Sequence, residues 1–500
     1  LNIIQHNCNH SYTATEHLRI NIQSHDIHIS LLQEPYYLKD KIIGFSITDT
    51  IIQHHTKPRA AIIAHSKSFD IFPTYISRDI IAVHITTQTI NCYLFSVYAP
   101  PHDDIDITIT NIRQLISQYH PTPVLIGGDF NAKNIVWGGE RTDSRGSELA
   151  LFIISSDLYP LNSPTSPPAF QSSNGHSWID LTLTSSTLLR EITNWTVLDE
   201  LTGSDHRYIF FQAYKTNTTT RKKLTQAGQL KLLDTLSTDT WFINTQTIPI
   251  TSRTHLAYII NIFYTKIRTL YNKFCKAVQN SKNQTPWWNP QLDSERKRVR
   301  ALRRRYQRAP PSLRHIYKES YLAAQKEYKK NIKKAKTHSW QSFCNQVSRT
   351  NIFTLPYKLA LNKIKKPILI PPIQKPDNTY TSSLQESVET ILQAQFPQDQ
   401  PSEHTPEQVR IKHQTHTPPN TTNDVPFTLS ELTHTIQYIR TRITPGTDNI
   451  TSSLVKNIFS IYPLLMLNIY NACLTYSHYP QEWKESRVIL LPKPNKPPHL

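Results

Sequence analysis

The sequence predicts an α+β chain in which packed β-sheets with helices outside them are followed by a basic helical segment and a smaller helical region. Three observations carry this. β-Branched and aromatic runs alternate with helical patterns over residues 1–214, lysine and arginine crowd into 215–366, and apolar periodicity fades over 367–425 before it returns at 426.

Within residues 1–214, "IHISLLQ" (27–33), "AAIIAH" (60–65), "IIAVHIT" (80–86), "CYLFSVYA" (92–99), "VLIGG" (124–128), "WIDLTLT" (178–184) and "RYIFFQAY" (207–214) read as strands bounded by turn residues. Helical spacing appears at 106–119 and 147–157. Seven of the ten glycines fall between 127 and 203, so the backbone there must turn sharply or approach something closely.

Charge divides the chain as sharply as pattern does. Residues 1–214 hold 13 Lys+Arg against 20 Asp+Glu, 215–366 hold 32 against 6, and the rest hold 10 against 11. An acidic first module, suited to a cation, is joined to a segment that collects polyanions. The five cysteines lack the spacing of a structural zinc site or a disulfide framework. No 18-residue apolar run exists, so no membrane span is expected. A first residue other than Met and a last one inside a Pro/Lys-rich stretch suggest a piece of a longer polypeptide.

Polar residues recur where the predicted strands end: Glu34 after the first listed run, Tyr98 before Ala99-Pro100-Pro101, Asp129 and Asn131 after Gly127-Gly128, Asp180 in "SWIDLTLTS", and Asp205-His206 in "GSDHR". Strand ends converge at one rim of a sheet. Carboxylates there are hard oxygen ligands for Mg²⁺ or Mn²⁺, and a histidine beside them can polarise a phosphate oxygen. Together these supply metal-assisted attack of water on a phosphodiester. Taken singly, each has a plainer reading, such as an Asx turn at Gly-Asp-Phe-Asn or a cap at Ser-Asp-His.

The ordered set Asn7, "LLQEP", "VYAPP", "GGDFNA", "SWIDLTLTS" and "GSDHR" resembles the endonuclease/exonuclease/phosphatase superfamily over roughly residues 2–214. Within it, "DFNAKNIVWGG" and "RGSELALFI" are most like the abasic-site-endonuclease-like domains of jockey-type non-LTR retrotransposons. The resemblance implies a four-layer α/β sandwich and a Mg²⁺-dependent (or Mn²⁺-dependent) nuclease. Glu34 would be the principal metal ligand, helped by Asp205. Asp129 and Asn131 would orient or deprotonate the attacking water and contact the phosphate. His206 would stabilise the phosphorane, Asp180 would orient it, and Tyr98 and Asn7 would complete a phosphate cradle. Asn9 stands where many repair enzymes have Asp, which weakens metal affinity at most.

In the middle segment, "TPWWNPQLDSERKRVRALRRRYQR" (285–308) places Val299, Leu302 and Tyr306 at helical spacing among cations. A second stripe runs Tyr317, Tyr321, Ala324, Tyr328, Ile332, Ala335. One face packs, and the other, with Arg296, Lys297, Arg298, Arg303, Arg304 and Arg305, would bind phosphates without reading sequence. Residues 367–425 read as loop or linker with one helix at 383–396. The P-G-T-D-N-I turn (445–450), Trp483-Lys484 and "RVILLPKPNK", with Lys493 and Lys496, resemble the first finger motifs of retroelement reverse transcriptases. The sole adjacent Asp pair is Asp103-Asp104, outside that region, so no polymerase palm is expected in these residues.

The expected partners are target DNA and, through the basic segment, the element's RNA, with no small-molecule cofactor and no membrane. The nucleus is the expected place of action, after a cytoplasmic ribonucleoprotein stage. A decayed nucleic-acid-binding relic and another phosphodiesterase of the same superfamily stay open as alternatives.

Overall fold

The computed structural model describes residues 1–66, 68–87, 89–172, 175–214, 222–277, 286–348, 357–358, 361, 369–396, 400–416, 425–441, 445–446, 450–485, 488 and 490. They form two compact units, one from Leu1–Thr218 and Ser281–Gln395, the other from Thr219–Asn280 and Phe396–Leu491.

The first unit begins with β1 (Asn2–Asn7), α1 (Tyr12–Ser24) and β2 (Ile29–Gln33), then the short hairpin β3 (Tyr37–Leu38) and β4 (Lys41–Ile42). Next come β5 (Thr50–Gln53), β6 (Ala60–Ala64), β7 (Asp70–Ile76), β8 (Ile80–Thr86), β9 (Asn91–Tyr98), α2 (Ile105–Tyr119) and β10 (Val124–Asp129). After them follow α3 (Ser144–Ser155), β11 (Leu158–Pro160), the hairpin β12 (Phe170–Ser172) and β13 (Gly175–Ser177), β14 (Asp180–Ser185), β15 (Ile192–Leu198) and β16 (Tyr208–Ala213).

Two six-stranded sheets result, ordered β15-β16-β1-β2-β6-β5 and β11-β14-β10-β9-β8-β7. Their facing sides share one core, in which Ile3, Leu31 and Ile62 meet Val83, Leu94 and Leu125. Leu18 of α1 packs with Ile4, Leu32 and Ile63 on the outer side of the first sheet. Ile109 and Ile112 of α2 and Phe152 of α3 cover Phe95, Ile126 and Leu183 on the outer side of the second. Helix, sheet, sheet, helices: these are the four layers of an α/β sandwich. Because both faces of β2 and β10 are covered, every residue of both strands is buried.

Register explains why the strand ends gather. β1 runs parallel to β2, with Asn7 opposite Gln33, and β9 parallel to β10, with Tyr98 opposite Asp129. β14 runs antiparallel to β10, so its first residue, Asp180, lies opposite Asp129. β16 runs antiparallel to β1, which puts His206, just ahead of it, at the same rim.

The paired glycines of β10 have separate reasons. A Cβ on Gly127 would stand 2.7 Å from Leu31 Cδ1 and 2.8 Å from Gln5 Oε1, so glycine lets the two sheets close here. On Gly128 it would meet the Val97 carbonyl at 2.9 Å and the Phe130 ring at 3.0 Å.

The first unit continues with α7 (Pro290–Arg308) and α8 (Arg314–Ser348), labelled in chain order after the three helices of the second unit given below, and ends with α9 (Leu384–Gln395). Pro290 occupies the first turn of α7 and Asn289 caps it, its Oδ1 accepting from Leu292 N–H. The apolar stripes meet each other and the two-sheet sandwich: Trp287, Leu292, Val299, Tyr328 and Ile332 are buried with Ile20 of α1 and Leu201.

The second unit is helical: α4 (Gln226–Ser237), α5 (Thr240–Thr245), α6 (Arg253–Phe274), α10 (Pro406–His416), α11 (Leu429–Tyr438), α12 (Ser452–Ile461) and α13 (Pro463–Thr475). Leu232, Phe242 and Ile260 share a core with Leu454, Ile458 and Met466. Among the described residues no single helix is long and apolar enough to cross a membrane.

The basic segment expected as one region at 215–366 is therefore divided between the two units. Charge follows sequence position, but packing follows the apolar stripes, and the stripe of 226–274 fits residues 429–483 rather than its basic neighbour. Within 367–425, the expected helix is present at Leu384–Gln395, and a second one, Pro406–His416, stands where loop was expected. Thr447–Asn449 of the P-G-T-D-N-I turn and most of "RVILLPKPNK", with Lys493 and Lys496, lie outside the described residues. Trp483 is described, and its Nε1–H donates to the Tyr264 hydroxyl at 2.6 Å.

Candidate active site

At the rim, Asn7 is the centre of the carboxylates. Its Nδ2 donates to Asp129 Oδ2 at 2.8 Å and to Glu34 Oε2 at 3.1 Å. Its Oδ1 accepts from the Asn9 backbone N–H at 2.8 Å. Glu34 also accepts from the Tyr98 hydroxyl and lies 3.5 Å from His10 Nε2.

The second half of the rim is an imidazole held between two acids. His206 Nδ1 donates to Asp180 Oδ2 at 2.8 Å, and Nε2 lies 4.0 Å from Asp129 Oδ2. Ligand atoms of Asp129, Asp180 and His206 all lie within 4.8 Å of one another, and all three residues are buried. Burial lowers the proton affinity of His206, but the Asp180 carboxylate against Nδ1 more than offsets it and lifts the pKa to about 9. Burial pushes the Asp129 carboxyl up, and the neighbouring Asp180 pushes it further. Burial, followed by the Glu34 charge, raises the Tyr98 phenol, which stays protonated as a donor.

Backbone geometry at the rim is unusual. Asn9 (φ 46°), His10 (49°), Glu34 (42°) and Asn131 (49°) all adopt left-handed conformations. For a glutamate this costs on the order of 1–2 kcal/mol and persists only where the surroundings impose it. They do so here: Glu34 N–H donates to the Arg59 carbonyl at 2.8 Å, and its own carbonyl accepts from His10 N–H at 2.8 Å. Asn131 is fixed likewise, its N–H donating to Asp129 Oδ1 at 3.2 Å and its Nδ2 to the Ala99 carbonyl at 3.1 Å.

Several residues that sequence reading passed over build this geometry. Arg145, at the start of α3, donates to the carbonyls of Asn131 (3.1 Å), Phe130 (3.1 Å) and Asp103 (2.5 Å), clamping the turn after β10. Gly146 beside it allows that clamp, since a Cβ there would stand 1.9 Å from the Lys133 carbonyl oxygen. Arg59 pairs with Asp79 and lies 5.7 Å from the Tyr98 ring centre. Beneath the rim, Gln5 Nε2 donates to the carbonyls of Gly128 and Leu181 (3.2 Å each), and Gln33 Nε2 donates to Ser96 Oγ at 3.0 Å. These bonds stitch the two sheets together directly under the acids.

The structure thus brings together Asn7, Glu34, Tyr98, Asp129, Asn131, Asp180 and His206. Asp205 differs: it is exposed, and no hydrogen bond or ion pair joins its side chain to Glu34 among the described residues. The carboxylate pair assembled around Asn7 is Glu34 with Asp129, not Glu34 with Asp205. Asn9 and Asp205 instead line a cleft beside the rim, together with Arg303.

The other expected phosphate-binding cations fall into different places. Arg304 pairs with Asp199 at 2.6 Å, Arg296 and Lys297 pair with Asp293 at 3.1 and 2.9 Å, and Arg305 lies 4.5 Å from the Tyr317 ring centre. Arg298 is exposed.

Residues 92–210 match the family model described as endonuclease-reverse transcriptase. The chain is 23% identical over 437 residues to the Retrovirus-related Pol polyprotein from type-1 retrotransposable element R1 of Bradysia coprophila, covering 83% of this chain and 42% of that one. It is 20% identical over 523 residues to a putative 115 kDa protein in type-1 retrotransposable element R1DM of Drosophila melanogaster, covering 99% and 49%. The chain spans less than half the length of these curated relatives.

Among solved structures, it is similar to the endonuclease domain of TRAS1, a telomere-specific non-LTR retrotransposon, with TM-score 0.40, 26% identity, and coverage of 43% of this chain and 99% of that one. The AP endonuclease LMAP from Leishmania major gives TM-score 0.37 at 12% identity, covering 43% and 88%. The match to the endonuclease-reverse transcriptase family model thus lies within the two-sheet unit, and over most of its length the chain is similar to polyproteins of type-1 retrotransposable elements.

Proposed function

We propose that residues 1–214 form a Mg²⁺-dependent DNA endonuclease that nicks target DNA and leaves a 3′-hydroxyl for priming reverse transcription. The observation that carries this reading is the rim itself, where His206, held by Asp180, faces Asp129, and Asn7 ties Asp129 to Glu34.

The donor set fits a hard cation. Glu34 offers a carboxylate oxygen at the rim, next to Asp129, whose carboxyl is raised first by burial and then by the Asp180 charge. Glu34 would hold the ion, with Asn7 bonded both to its carboxylate and to Asp129. When bound, Mg²⁺ or Mn²⁺ supplies Lewis-acid polarisation of the phosphate.

The chain's own groups account for the remaining work. Asp129, buried and with an elevated carboxyl pKa, accepts a proton from the attacking water. Asn131, pinned through Ala99, orients that water. His206 uses Nδ1 on Asp180, which leaves Nε2–H to donate to the phosphorane oxygen. The Tyr98 hydroxyl, kept protonated, can exchange its hydrogen bond to Glu34 for one to a second phosphate oxygen.

A supercoiled-plasmid nicking assay tests this. Open-circle product should form with Mg²⁺, vanish with EDTA, prime extension by an added DNA polymerase, and fall in His206→Ala. Nicking that is indifferent to EDTA would contradict the reading. Primer extension by these 500 residues alone should be absent, because Asp104 caps α2 and Asp103 faces Arg59 at 3.7 Å; measurable extension would refute this.

A further inference from the structure

The cations of α7 and α8 separate into two groups. Arg300 and Arg304 pair with Asp199 and Glu200 at 2.6 to 3.8 Å, on the chain just ahead of the turn that carries His206. Lys336 pairs with Glu16 of α1 at 2.7 Å, and its Nζ lies 5.3 Å from the Trp287 ring centre. These cations, with the buried stripe of Trp287, Val299, Tyr328 and Ile332, fasten the helix pair to the sandwich.

Arg303, Lys318 and Lys329 do no such work. They have no ion-pair partner among the described residues, and all three line one cleft of about 430 Å³. Its opposite wall carries Asn9, Ser204 and Asp205. Asn9 is hydrogen-bonded through its backbone to Asn7, and Asp205 precedes His206, so the cleft opens directly off the rim. Asp205 is the one acid among its lining residues, against three cations. Leaving three cations together against a single acid costs electrostatic repulsion, which a polyanion would relieve.

We propose that this cleft binds the phosphodiester backbone of DNA flanking the scissile phosphate, with Arg303, Lys318 and Lys329 as phosphate contacts supplied by the helix pair. The substrate-binding surface of the nuclease then extends beyond residues 1–214 to residues 303–329. The proposal rests on the nuclease reading, yet its test does not require cleavage.

The full chain is titrated in EDTA with a fluorescently labelled short DNA duplex across a series of salt concentrations, wild type against Arg303→Gln/Lys318→Gln/Lys329→Gln. A control variant, Arg308→Gln/Lys326→Gln/Lys334→Gln, removes equal charge from exposed positions of the same helices outside the cleft. The cleft variant should lower the slope of log affinity against log salt by about 2 to 3 and weaken binding by at least ~10-fold at low salt. The control should produce less than about a third of that loss.

Equal loss in both variants would overturn the proposal, since the binding would then be diffuse attraction. No loss in either, or a loss seen with an RNA duplex but not with DNA, would overturn it as well. Should the triple variant fold poorly, Lys318→Gln and Lys329→Gln, both at exposed positions, each keep the test: a slope reduced by about 1 supports the proposal, and an unchanged slope contradicts it.

Discussion

At the rim, Asp129, Asp180 and His206 are buried and each is paired or hydrogen-bonded; in the adjoining cleft, Lys318 and Lys329 are exposed and have no ion-pair partner among the described residues. The difference teaches how one polypeptide divides labour between charges. Buried charge is expensive, has to be scaffolded, and yields strong fields and shifted proton affinities suited to chemistry. Exposed charge is cheap to place, is screened by salt, and suits the holding of a long polyanion. The scaffolding is visible at the rim as strained backbone, inter-sheet glutamines and the Arg145 clamp, and the cleft needs none of it.

Breaking the rim should have the largest effect. His206→Ala removes a donor aimed at developing charge and is expected to lower the single-turnover nicking rate about 10²–10³-fold, with the circular dichroism spectrum unchanged.

The next effect concerns the anchoring of the helix pair. His17 of α1 is buried, its Nδ1 donates to the Leu201 carbonyl at 2.8 Å, and its ring lies edge-on to Tyr328 at 5.6 Å. Burial depresses its pKa to about 4, and the carbonyl only partly opposes this. The neutral form is therefore the folded form. Stability from this group is full above the unfolded value near 6.5 and is lost as pH falls toward 4, by roughly 3 kcal/mol in all. Chemical denaturation of the full chain at pH 7 and pH 4.5, wild type against His17→Gln, should show a smaller pH dependence in the variant; identical curves would remove His17 from the account.

Gly127→Ala should follow, costing about 1–3 kcal/mol by overpacking between the sheets, read as a lowered melting temperature. An unchanged melting temperature would mean that the sheets can part at no cost. Smallest of all, Asp199→Asn breaks an exposed pair with Arg304 and should change stability by no more than about 1 kcal/mol, which denaturant titration can bound.

Much of this was legible in the sequence, for identifiable reasons. Most rim residues stand beside turn signals at strand ends, so linear order already predicts that Glu34, Tyr98, Asp129, Asp180 and His206 share one edge, while Asn7 enters only through the family resemblance. α1 escaped because its buried face carries Glu16, His17 and Asn21, which erase the apolar period. β1, β5, β7 and β15 also went without notice as strands. Arg145, Gln5 and Gln33 bond mainly to backbone carbonyls, whose positions no residue pattern displays. The division of the basic segment was hidden because charge counts pool cations that clamp with cations that face a cleft. Asp205 was grouped with Glu34 by motif; it lines the adjoining cleft with Asn9, while His206 next to it bonds Asp180.

The central claim, that the rim performs the chemistry while the cleft holds the strand, is tested most directly by one paired measurement on His206→Ala. Its single-turnover nicking rate is measured with saturating duplex and Mg²⁺, and its duplex affinity is measured in EDTA. The expected result is a rate lowered at least ~100-fold with affinity within about twofold of wild type. A wild-type rate in this variant, or a rate loss explained entirely by lost affinity, would contradict it.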